Sequence, residues 1–178
     1  MSQMNVHRIS LIAMLVSLSV ATNYALIGVP NVKMMDFIVF IGGFCLGPLA
    51  GALIGIFTWA VYGTLNPYGF IPQIWLATMF SEAIYGLIGG LLGKNLVSNN
   101  FDNQRLRLSI FLGATGFILT LIYDLITNVV YALTFSLPII VTVALGAPFT
   151  ILHELSNATI FAVGSFPIIK AVGKIMKR

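Results

Sequence analysis

Charge is what this sequence has least of. Only 8% of its 178 residues are Asp, Glu, Lys or Arg, whereas 58% are hydrophobic; a soluble domain carries about 25% charged residues. A chain this short keeps a large share of its surface exposed, so water leaves nowhere to hide so many apolar side chains. The mean hydropathy of +1.00 points to lipid as the solvent. A single cysteine, Cys45, excludes an internal disulfide and has no partner for a zinc site. The only histidines, His7 and His153, cannot supply two zinc ligands four residues apart on one helix. No metal or cofactor is expected. The run Gly89-Gly90-Leu91-Leu92-Gly93-Lys94-Asn95 lacks the spacing of a nucleotide loop and the Ser or Thr that would hold magnesium. Neither a serine elbow nor an inverted repeat of the secondary-transporter type is present. If the chain moves a solute, the energy comes from elsewhere.

What is present reads as an all-α, polytopic integral membrane protein of six transmembrane helices, a single domain over residues 1–178. A span needs about 20 mostly apolar residues. Such runs cover about Ile9 to Gly28, Met34 to Leu46, Pro48 to Leu65, Pro72 to Leu96 and Leu106 to Phe135. A sixth begins between Ile139 and Pro148 and ends near Val172. The second is short for a bilayer and must be tilted, flanked by buried protein or partly unwound. Residues 136–147 read equally as a re-entrant loop, a lid or the start of the sixth helix. With both termini cytoplasmic, Arg8, Lys94, Arg105, Arg107, Lys170, Lys174, Lys177 and Arg178 lie inside and Lys33 alone outside. The positive-inside rule demands that bias, and five spans would break it. It also favours a retained first helix over a cleaved signal peptide. The net charge of +4 is thus topological, and no nucleic-acid partner is implied.

Helices in lipid approach closely through small residues four apart. Gly47, Gly51 and Gly55 on the third span and Gly86, Gly89, Gly90 and Gly93 on the fourth read as internal packing. The stripe Ala13, Ser17, Ala21 and Ala25 on the first serves either packing or docking of another membrane protein.

Ionisable groups at membrane depth are costly and mark functional sites. The fifth span carries Thr120, Asp124, Thr127, Asn128 and Tyr131 on one face, and the sixth carries Thr150, His153, Glu154 and Asn157. The fourth adds Gln73, Trp75, Glu82 and Tyr85, and the outer connections bring Asn31, Lys33, Asp36, Asn66 and Tyr68 to the rim. The expected substrate site is Asn31, Lys33, Tyr68, Trp75, Glu82, Tyr85, Asp124, Asn128, Tyr131, His153, Glu154 and Asn157. Structural readings compete with it. The Asn and Thr side chains suit interhelical hydrogen bonds, and His153 suits pairing with Asp124 or Glu82. Asp36 suits solvation or pairing with Lys33. Trp59 reads as an interfacial anchor, and Trp75 as either anchor or site.

The first-helix stripe, the turn Phe44-Cys45-Leu46-Gly47-Pro48-Leu49-Ala50-Gly51, the loop Asn66-Pro67-Tyr68-Gly69 and the run Tyr123-Asp124-Leu125-Ile126-Thr127-Asn128 add to this layout. Together they resemble the S components, the substrate-binding subunits, of energy-coupling factor (ECF) vitamin transporters. The resemblance implies a multi-pass subunit of the cell membrane, not itself an enzyme. It would bind a small vitamin-like solute and work with a transmembrane coupling subunit and two cytoplasmic ATPases, toppling in the lipid to deliver the solute inward. The alanine-x-x-x-alanine contact of that family's first helix falls on Ala13, Ser17 and Ala21, where Ser17 is a small departure. Because Asp124, Glu154 and Glu82 outnumber the cations of the site, a neutral or cationic flat ligand is expected. Rivals remain: an intramembrane enzyme using Asp124, His153 and Glu154 as acid and base, which lacks a nucleophile or metal, a stand-alone channel or carrier, and a purely structural assembly subunit.

Overall fold

Backbone polar groups in lipid must be satisfied within the segment itself, so an apolar run long enough to span becomes a helix. The structure, a computed structural model, describes residues 6–65, 67, 69–96 and 104–176, with side chains up to residue 171. Six helices follow one another: α1 (Val6–Ala25), α2 (Met35–Leu46), α3 (Pro48–Leu65), α4 (Pro72–Leu96), α5 (Arg105–Thr134) and α6 (Ile139–Met176). No strand occurs among the described residues. Pro48 and Pro72 open α3 and α4, where a missing N–H costs no helical bond. Five of the helices are long and apolar enough to cross a membrane.

The exception is α2, whose 12 residues reach only about 18 Å at the helical rise. It is helical throughout and flanked by protein, packing against α1, α3, α4 and α6. Its glycines let the backbones touch. A Cβ added at Gly43 or at Gly51 would overlap the carbonyl of Gly86, and one at Gly89 the carbonyl of Phe40. Helices α2, α3 and α4 therefore meet backbone to backbone, as the glycine spacing predicts. On the other side α5 runs along α6, with Gly116 against the ring of Phe161. Phe161 in turn packs on Phe37 and Phe40 of α2, with ring centroids 5.3 and 4.9 Å away.

Residues 136–147 resolve as a turn and a helix start. Ser136 takes a left-handed backbone, φ 53°, and the chain re-enters helix at Ile139, running on through Pro148 and Pro167. At about 57 Å, α6 is longer than a bilayer core of about 30 Å.

Arg8, Lys94, Arg105, Arg107 and Lys170 lie toward the bundle end that holds the start of α1, the α2–α3 turn, the end of α4 and the start of α5. There Arg105 lies over the ring of Phe166, 5.2 Å from its centroid, and Arg8 donates to the carbonyl of Leu46. Arg8 thereby places a cation at the C-terminal, negative end of α2. Arg8→Ala should lower stability by about 1 kcal/mol, read as an earlier thermal unfolding transition in detergent; an unchanged transition would show that contact to be dispensable. The opposite end of the bundle holds the segment 26–34, the end of α3, the start of α4 and the α5–α6 turn.

Candidate functional site

Four of the five acidic residues, Asp36, Glu82, Asp124 and Glu154, sit on helices α2, α4, α5 and α6. Asp36 is in the first turn of α2, only 1% exposed. Its Oδ2 accepts from Asn157 Nδ2 at 2.6 Å and lies 2.7 Å from His153 Nε2. The other ring nitrogen of His153, Nδ1, faces both oxygens of Asp124 at 3.1 Å. Only an imidazolium donates at both nitrogens; in that form His153 supplies the one positive charge between two acids. Asn157 also donates to Thr120 Oγ1 at 2.8 Å, which accepts from the Tyr85 hydroxyl at 2.9 Å and itself donates to the Gly116 carbonyl at 2.7 Å. A single, largely buried polar cluster thus ties α2, α4, α5 and α6 together, and burial strengthens its bonds.

Between this cluster and the bundle end lies an aromatic chamber. Trp59 of α3 donates its indole N–H to Glu82 Oε2 at 3.2 Å, and Trp75 of α4 donates to the Trp59 carbonyl at 3.0 Å. Tyr123 of α5 stands opposite, 6.4 Å from Trp59 with the rings inclined by 31°. Three cavities open here, of about 330, 340 and 280 Å³. The first is walled by Trp59, Tyr62, Ile74 and Trp75; the third by Tyr123, Asp124, Thr127 and Asn128. Asn31 and Lys33 line all three. Asn31, in a left-handed conformation at φ 52°, ties this segment to α6 through a bond from Nδ2 to the Phe149 carbonyl at 3.0 Å. Concave, mostly apolar spaces of this size with a few directed polar groups suit small-molecule ligands.

Over residues 7–176 the sequence matches the family described as ECF transporter, substrate-specific component. The chain belongs to that family. No curated protein and no solved structure matches it.

Within this S component the sequence-predicted site residues separate into two groups. Asn31, Lys33, Trp75, Asp124, Asn128 and Tyr131 line the cavities. Tyr85, His153 and Asn157 are fully buried in the polar cluster instead, one layer below. Glu82 lies between the two, buried, with Oε2 on Trp59 and Oε1 without a partner. Glu154 makes no hydrogen bond to His153 or Asp124 among the described residues. Tyr68 lies outside the described residues, as does Asn66.

Three expectations change. Asp36 is neither solvated nor paired with Lys33; it is the hub of the buried cluster, with no Lys33 nitrogen within 4.0 Å. Burial puts it where His153 and Asn157 are the nearest donors. His153 pairs with Asp124 as expected, but its second acid is Asp36 rather than Glu82. Trp59 is no isolated interfacial anchor, since its N–H is held by Glu82 and its ring walls the chamber. Tyr123 and Thr120 had no place among the expected site residues. For Tyr123 the available signal was its position beside Asp124, one residue off the polar stripe and on the same side of α5 as Thr120 and Thr127.

Proposed function

We propose that this S component captures a small, vitamin-sized solute from outside the cell membrane. It hands the solute inward in complex with a transmembrane coupling subunit and two cytoplasmic ATPases. The observation that carries this reading is the aromatic chamber at the bundle end opposite the basic residues. Basic residues mark the cytoplasmic end of membrane helices, so a chamber at the far end faces the supply of solute. Reconstitution tests it: liposomes holding the chain with the coupling subunit and ATPases should accumulate solute only with ATP inside. Native mass spectrometry of the purified chain should show a bound small molecule. Uptake by the chain alone, without ATP, would overturn the proposal.

The docking face is read from α1. That helix packs on α2 and α3 through Ile12, Ser19 and Asn23, which leaves Ala13, Ser17 and Ala21 exposed on its far side. The Ser17 hydroxyl is returned to the Ala13 carbonyl at 2.9 Å, so the stripe presents a smooth, low surface suited to close helix approach. Ser17→Leu should cut co-purification of the coupling subunit at least about 10-fold, a loss of roughly 1.4 kcal/mol, and leave solute binding unchanged. A variant that loses solute binding as well would move Ser17 from docking to folding.

A further inference from the structure

Lys33 makes no close ion pair among the described residues, although it lies within Coulombic range of Asp36, Glu82 and His153. Both oxygens of Asp124 and the Oδ2 of Asp36 meet His153 or Asn157, and Glu82 Oε2 meets Trp59, while Asp36 Oδ1 and Glu82 Oε1 have no hydrogen-bond partner. Among the described residues no carboxylate oxygen lies within 4.0 Å of the Lys33 ammonium. It faces two aromatic rings instead, 5.0 Å from the centroid of Tyr123 and 5.7 Å from that of Trp59. Ring faces compensate a partly desolvated ammonium less well than an anion does. Tyr123 also lines the third cavity, and its hydroxyl is buried with no hydrogen-bond partner. Asn128 lines the same wall.

We propose that Lys33, with the Tyr123 hydroxyl, receives a carboxylate carried by the substrate, whose planar ring lies between Trp59 and Trp75. The inference deepens the S-component reading and rests on it. The geometry fits one ligand across two adjoining cavities. The third is lined by Lys33 and Tyr123, which carry two donors without close acceptors; the first has the two indoles and the aliphatic Ile71 and Ile74. Asn31, Lys33, Trp59 and Thr78 are common to both cavities. The bond from Asn31 to Phe149 holds the backbone of the segment in place, so the flexible Lys33 stem alone adjusts to the ligand. Asp124, on the wall of the third cavity, and the buried Glu82 repel a doubly charged phosphate more than a single carboxylate. This departs from the neutral or cationic ligand that the surplus of acids leads one to expect; of Asp124, Glu82 and Glu154, only Asp124 faces the His153 ring.

The chain carries its own reporter, since its two tryptophans, Trp59 and Trp75, both wall the first cavity. Purified full-length protein would be titrated with 4-nitrobenzoate, 4-nitrobenzamide and 4-nitrophenyl-trimethylammonium, three quenchers of indole emission that share a ring and differ in charge. The acid should quench at about 30-fold lower concentration than the amide or the cation, the range of a charge-assisted contact. Lys33→Met should abolish that advantage, and Lys33→Arg should keep it, with thermal unfolding unchanged in both. Saturable quenching by the cation at equal or lower concentration, an acid preference that survives Lys33→Met, or no saturable quenching by the acid overturns the proposal. Co-purification of the Lys33→Met protein with the coupling subunit tests the S-component reading separately, because Lys33 and the α1 docking stripe lie on different parts of the chain.

Discussion

Gly86→Leu should leave no folded protein in detergent. Gly86 is the point where three backbones meet: its carbonyl occupies the space that a Cβ on Gly43 of α2 or Gly51 of α3 would need, and a Cβ on Gly86 itself would overlap the Gly51 carbonyl. No rotamer change relieves such a clash, because the obstructing atoms are main chain. The helices must part by the width of a side chain, and with them go the contacts of Gly89 and Gly93 on α2 further along the same seam. Overpacking in a deformable core costs about 1–3 kcal/mol; here the loss should exceed about 3 kcal/mol, since association in lipid depends on close packing with little hydrophobic drive. Thermal unfolding and size-exclusion elution report it. Gly28→Ala is the control, with nothing within 4 Å of the added carbon. A Gly86→Leu protein that melts with the wild type would show that the seam is not close-packed.

His153→Ala comes next in size. Removing the ring leaves Asp36 and Asp124 facing each other's field without a cation, at a place where both are buried. Breaking a buried charge pair from one side costs about 3–5 kcal/mol, most of it the desolvation of the partners left behind. The double and triple variants discriminate the ionic account from a simple cavity. Adding Asp36→Asn and Asp124→Asn to His153→Ala should restore a large part of the lost stability, because neutral amides need no countercharge. A cavity alone would make the losses add. Additive losses would therefore refute the charge account. Ligand binding should weaken in step, since Asp124 belongs both to this cluster and to the cavity wall.

The helices were legible because the bilayer leaves a spanning chain few choices. α3 and α4 begin at the prolines and end where the hydrophobic runs end, as read from the sequence. α1 begins three residues earlier than expected and α5 one residue earlier, where frayed or polar first turns blur the hydropathy edge. The segment 136–147 resisted because Pro138 and Gly146 carry loop chemistry inside an apolar run. The structure resolves it through the left-handed Ser136, which turns the chain before α6 starts. The glycine seam was legible too, since four-residue spacing of glycines in lipid has few other uses.

By itself the amino-acid sequence determined that this protein lives in lipid, how many helices it folds into, which faces of α3 and α4 allow backbone contact, and that a polar interior exists. Those properties are local: a run length, a period, a spacing. Which acid meets which donor was decided only by the tertiary structure. Asp36 and His153 are 117 residues apart in the chain and 2.7 Å apart in space. Nothing in a helical repeat encodes that meeting, which depends on how α2 and α6 are pressed together by their neighbours. The same packing sets Lys33 over the rings of Tyr123 and Trp59, with no carboxylate oxygen within 4.0 Å among the described residues, because helix packing and not chain order places its neighbours.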